Sequence, residues 1–145
     1  MYLPETPWIG HNSDLIPALQ KCSHHSKAGT VIINLTPHPL SLLDVDGTIH
    51  EVPCDMSLVV NAIPHDEEFG PNLVRTVWKQ SDFAKTILNT ARTLFKQAWA
   101  NGALFLVGSK LAADCYSEVV CLIPATGDRG GERLYRTDLF NVGTV

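Results

Sequence analysis

The spacing of apolar positions changes along the chain, and each change marks an element. TVIINLT (30–36) is a run of β-branched residues that ends at a Pro-His-Pro break, which predicts a strand. LSLLDV (40–45), the pair Asp46-Gly47 and TIHEVP (48–53) predict a hairpin closed by a type I′ turn. SLVVNAIP (57–64) predicts a further strand ended by Pro64, HDEEFGPN (65–72) an acidic loop, and LVRTVWK (73–79) another strand. From Ser81 the period becomes helical: Phe83, Ile87, Leu88, Ala91, Leu94, Phe95, Ala98 and Trp99 fall on one face. Lys85, Asn89, Arg92, Lys96 and Gln97 fall on the other. Ser81 is placed to cap, Asp82 lies in the first turn and Asn101-Gly102 supplies the stop. One long amphipathic helix over 81–100 is expected, about 30 Å long at ~1.5 Å per residue. It packs across the sheet or also serves a contact between copies.

ALFLVGS (103–109) reads as a buried strand, KLAADCY (110–116) as a helical turn or a second short helix and SEVVCLIP (117–124) as a strongly β-forming run. A glycine- and arginine-rich loop within 125–143 leads to a last extended piece. The expected fold is α+β, a small antiparallel sheet packed with the long helix. Residues 1–29 differ: Pro4, Pro7, Gly10, Pro17 and Gly29 interrupt them, and only a short helix through Lys21, capped by Asn12 or Ser13, is expected. They read as an irregular arm that wraps its own domain or a neighbouring subunit, ahead of a single domain over 30–145.

Composition narrows the function. The 145 residues carry 11 Lys+Arg and 15 Asp+Glu, a net charge of −4, so non-specific binding to duplex nucleic acid is disfavoured. No apolar run approaches the ~18 residues of a membrane span, and the first residues do not resemble a secretory signal. Cys22, Cys54, Cys115 and Cys121 then read as reduced thiols in a cytoplasm. None forms a CxxC pair, and a zinc ion would have to recruit scattered residues such as Cys22, His24 and His25; no metal and no cofactor are expected. P-loop, GxGxxG, HExxH and GxSxG patterns are absent, and neither Cys115 nor Cys121 has a local signature for a thiol–His dyad. The trio Asp66, Glu67 and Glu68 reads as a solvated loop.

What remains is polar chemistry in unusual places. Asn34 and His38 stand at the end of an apolar strand, where they either build the turn or face a ligand. Arg129, Arg133 and Arg136 fall within eight residues, among Gly127, Gly130 and Gly131, and arginine forks match phosphate. Asp128, Glu132 and Asp138 offer the other account, ion pairs on a surface hairpin. Lys110, Lys85 and Arg75 are auxiliary cations, and Phe105, Phe95 and Tyr135 are candidates to stack on a base.

NLTPHP (34–39), with GALFLVGSKLAADCY, VVCLIPATG and TDLFNVG in 102–143, resembles the phage Thoeris anti-defence proteins of the first type. The resemblance covers about half of the chain and implies a small α/β sponge. Such a protein binds glycocyclic ADP-ribose isomers of Thoeris immunity without cleaving them, as a dimer or hexamer in the cytoplasm of the infected host. It also implies possible capture of the cyclic trinucleotides of CBASS at a separate site. Its phosphate-binding arginines carry over to Arg133 and Arg136, ahead of Asp138, and its adenine-stacking aromatic to Phe105, with Phe95 next. Two other readings stay open. One is a nucleotide hydrolase using His38, Asp114 or Asp138; the other is a protein-interaction module acting through the arm or the long helix.

Overall fold

The computed structural model describes residues 14–125 and 133–143. Residues 14–21 are helical (α1), followed by β1 (Ser23–His25), β2 (Val31–Asn34), β3 (Leu40–Leu43) and β4 (Ile49–Val52). A 3-10 turn (Met56–Leu58) leads to β5 (Ile63–Gly70) and β6 (Leu73–Lys79), then to helices α2 (Asp82–Leu94) and α3 (Lys96–Ala100). β7 (Leu104–Val107), α4 (Lys110–Cys115), β8 (Val119–Pro124) and β9 (Tyr135–Val142) complete the described chain. The class is α+β.

Seven strands form one sheet in the order β1-β2-β7-β8-β9-β3-β4, and β5 and β6 form a separate pair. The large sheet is mixed, not antiparallel as expected: β2, β7 and β8 run parallel, and so do β3 and β9. The parallel pairs join strands that are distant in sequence or linked through α4, and hairpin signals cannot reveal such pairings. Alternation along each strand builds two cores. Val31 and Ile33 of β2 and Leu104 and Leu106 of β7 face Leu15 and Leu19 of α1, the α2 residues Ala84, Ile87, Leu88 and Ala91, and Tyr116. Ile32, Val107, Leu42 and Val52 point to the opposite face, with Tyr135 and Phe140 packed against them. Thus α1 and β1, set apart in sequence as arm residues, belong to the packed body; its expected caps lie outside the described residues.

The sheet curls until its ends meet. β1 and β4 are its terminal strands, yet the His24 and His50 rings lie 4.4 Å apart. The Asn34 amide of β2 donates to the carbonyls of Pro53 and Val52, just past and at the end of β4, at 3.1 and 3.4 Å. Curling is helped by β9, whose register against β8 slips between Leu122 and Pro124. The second core therefore fills a partly closed barrel with the helices outside it.

Four local expectations are corrected. The 81–100 helix is interrupted at Phe95 (φ −111°, ψ 45°), giving α2 and α3. Residues 57–64 do not form one strand, because Asp55 caps the 3-10 turn and the chain then tucks Leu58 and Val60 into the core. The acidic run is not a loop: Asp66, Glu67 and Glu68 belong to β5, which turns into β6 at Asn72 (φ 64°). In the first hairpin Gly47 (φ 91°) has positive φ and Asp46 does not, which excludes the type I′ turn. The Gly47 N–H bonds to the Asp44 carbonyl at 2.9 Å and the Asp44 N–H to the Thr48 carbonyl at 2.8 Å, a longer loop that ends on a left-handed glycine. Ser81 caps α2 as expected, and Ser109 caps α4.

Candidate functional site

The parallel strands β2, β7 and β8 end at the same edge of the sheet, and the mouth of the curl opens there. Ligands of α/β sheets characteristically bind beyond the carboxyl ends of strands. A cavity of about 550 Å³ lies at this edge, within the usual range for small-molecule sites. Its apolar part comes from the inner face of the barrel, Leu40, Val107 and Leu122, with Pro37 and Pro39 at the rim. Its polar part comes from three segments: His38 after β2, Ser109 and Lys110 after β7, and Arg133 and Tyr135 around the start of β9. No carboxylate lines it among the described residues. Gly108 in its wall is required by packing, since a Cβ there would stand 2.7 Å from Val119 Cγ1.

His38, Lys110 and Arg133 thus meet in one place. Lys110 Nζ lies 3.5 Å from Asp114 yet remains largely exposed, so its charge is still available at the rim. The remaining thiol in the lining, Cys121, is pushed above its ordinary pKa by burial, which makes it a poor nucleophile.

The other sequence candidates lie elsewhere. Asn34 is buried and its amide is fully used: it donates to the His38 carbonyl at 2.8 Å and to the end of β4, while its oxygen accepts from Thr36 N–H and Oγ1 at 2.9 and 2.6 Å. It shapes the loop that presents His38. Arg136 and Asp138 form a two-pronged pair at 2.9 and 3.0 Å beside a smaller cavity of about 250 Å³ that Asp44 also lines. The Arg136 hydrogen bond holds Asp138 below the usual carboxylate range. Phe105 stacks on Phe140, with centroids 3.9 Å apart. Phe95 packs against the outer core and sits 5.9 Å from the His25 ring. Lys85 is exposed on α2. Arg75 lies on the β5–β6 hairpin, 3.9 Å from Glu67 and over the Phe69 ring. Asp114 is engaged with Lys110 on α4. Arg129 lies outside the described residues.

A second group of polar residues was not legible in the sequence. Asp44 follows β3 with its side chain buried, and its Oδ2 lies 3.2 Å from His24 Nε2 and 3.8 Å from His50 Nε2. Burial alone would raise the Asp44 pKa; hydrogen bonds from His24, Val45 N–H, Lys27 N–H and Thr137 outweigh it and hold the carboxylate below its ordinary range. Neither Cys22 nor His25 joins this group: Cys22 is buried in the outer core and His25 faces Phe95.

Comparison of the chain with protein-family models, with curated proteins and with solved structures yields no match.

Proposed function

We propose that the chain is a non-catalytic binding protein that sequesters an anionic cyclic nucleotide in the cavity at the mouth of the curled sheet. The observation that carries this reading is the lining: His38, Lys110 and Arg133 converge from three segments on a largely apolar cavity that no described carboxylate enters. Arg133 is the phosphate fork, Lys110 a second cation, His38 a hydrogen-bonding partner and Tyr135 the aromatic surface for a base. Arg136, suggested by the resemblance, is replaced in this role by Lys110, because Asp138 already occupies the Arg136 fork. A sponge requires charge without an activated nucleophile; the described lining supplies cations and no carboxylate, and its thiol Cys121 is raised above its ordinary pKa by burial. The ligand class rests on the NLTPHP resemblance to the anti-Thoeris proteins, and it includes the assembly of several copies.

The test is capture and release. Excess protein is mixed with glycocyclic ADP-ribose and filtered, and the filtrate is analysed by mass spectrometry before and after heating the retained protein. The expected result is loss of the ligand and its intact return on heating. Arg133→Ala is expected to weaken capture by at least about tenfold, the value of one charge-assisted hydrogen bond of about 1.5–3 kcal/mol, with folding unchanged. A linear product makes the protein a hydrolase. Ligand that stays in the filtrate, with a cyclic trinucleotide behaving likewise, overturns the reading.

A further inference from the structure

At the end of the barrel away from the cavity, two histidines and one aspartate converge on a single point. His24 comes from β1, Asp44 from the end of β3 and His50 from β4, and their ligand atoms all lie within 4.8 Å of one another. We propose that His24, Asp44 and His50 bind one divalent transition-metal ion, zinc by preference, that ties the first strand of the sheet to the last. This inference is independent of the cavity reading.

The donor set is the first reason. Two imidazole nitrogens and one carboxylate oxygen make up a combination used for zinc and its neighbours, and three protein ligands leave a position for water. His50 is partly exposed, which gives that position a solvent side and the ion an entry path.

Geometry is the second. In a tetrahedral site with bonds of ~2.0–2.1 Å, neighbouring ligand atoms stand about 3.3 Å apart. The 3.2 Å from His24 Nε2 to Asp44 Oδ2 and the 3.8 Å from His50 Nε2 to the same oxygen bracket that value. The longer distance is beyond a hydrogen bond; His50 Nε2 instead meets Thr48 Oγ1 at 3.0 Å, a contact that the ion would replace.

Preorganisation is the third. Asp44 is fixed through Oδ1 by Lys27 N–H and Val45 N–H, both at 3.0 Å, and by Thr137 Oγ1 at 3.2 Å. Lys27 N–H also reaches Oδ2, at 3.1 Å. Outer contacts of this kind hold a ligating carboxylate in one orientation. The three ligands come from strands that share no ladder across the seam, so an ion there fastens the curl where backbone pairing is missing.

The experiment uses the full chain stripped with a chelator and then titrated with Co²⁺ and Zn²⁺. One equivalent of Co²⁺ is expected to give the visible absorption of a four-coordinate ion, Zn²⁺ to displace it, and one equivalent of Zn²⁺ to raise Tm. Loss of an outer contact costs ~10–100-fold in affinity, so loss of a direct ligand in His24→Gln or His50→Gln is expected to cost about a hundredfold or more. His25→Gln, one residue from His24 and facing elsewhere, is expected to bind as the parent does. His50→Gln keeps the test decisive if an Asp44 variant fails to fold. Absence of a Co²⁺ spectrum and of a Zn²⁺-dependent Tm shift overturns the proposal, and so does binding that survives both histidine substitutions.

Discussion

At the scale of the residue, the outer core turns on the Tyr116 hydroxyl. Tyr116 is buried; its hydroxyl donates to the Asn61 carbonyl at 3.0 Å and accepts from the Ser81 N–H at 2.7 Å. Residues 61 and 81 flank the β5–β6 hairpin, so one phenol holds both of its feet. Tyr116→Phe keeps the ring and strands two backbone groups, which is expected to cost about 1–3 kcal/mol in urea unfolding. Amide exchange is expected to accelerate selectively in 63–79, and a uniform change across the chain would refute the anchoring role. The sequence showed Tyr116 as the end of a short helix, but its partners lie 35 and 55 positions away. Asn34 was more legible, since its turn-building alternative depends on Thr36 and His38 only a few positions on. His24, Asp44 and His50 were not read as a set, because no spacing in one dimension brings a first strand beside a fourth.

At the scale of the element, one turn decides whether Asp44 and His50 share a face of the first hairpin. A type I′ pair at Asp46-Gly47 would place Val45 opposite Thr48, and Asp44 and His50 on opposite faces of the hairpin. The observed loop pairs Leu42 with His50 instead. Leu42 faces the inner core, so this register turns His50 inward too, and Asp44, two residues beyond Leu42, follows. The local signal, Asp-Gly between two apolar runs, correctly gave the hairpin but did not distinguish loops differing by one residue. Gly47 decides it through its positive φ. Gly47→Ala is expected to lose about 1 kcal/mol of stability, and Gly47→Asn distinctly less, because Asn tolerates the left-handed region. Equal losses measured by urea unfolding would place the constraint elsewhere. The helix break at Phe95 is another limit of local reading: neither Pro nor Gly marks it, and the apolar period runs through it without a change.

At the scale of the whole molecule, the β5–β6 hairpin is left uncovered by the other described residues. A two-stranded pair is marginal by itself, and this one exposes Phe69, Leu73, Val74 and Trp78, with only its feet tied to the body. The long helix was expected to pack across the sheet or also to serve a contact between copies, and α2 does set Ala84, Ile87, Leu88 and Ala91 into the core. For the assembly proposed above, the hairpin offers the exposed apolar side chains that a second copy would cover. β5 carries Asp66, Glu67 and Glu68 and β6 carries Arg75 and Lys79, with Arg75 set against Glu67 at 3.9 Å within the hairpin. The purified protein is expected to run at the mass of two or more chains by light scattering. Phe69→Glu combined with Val74→Glu removes exposed side chains only, and it is expected to reduce the mass to one chain without lowering Tm. A wild-type mass of one chain, or an assembly unchanged in the double variant, rules out this interface. The cavity reading is tested separately, by capture and release.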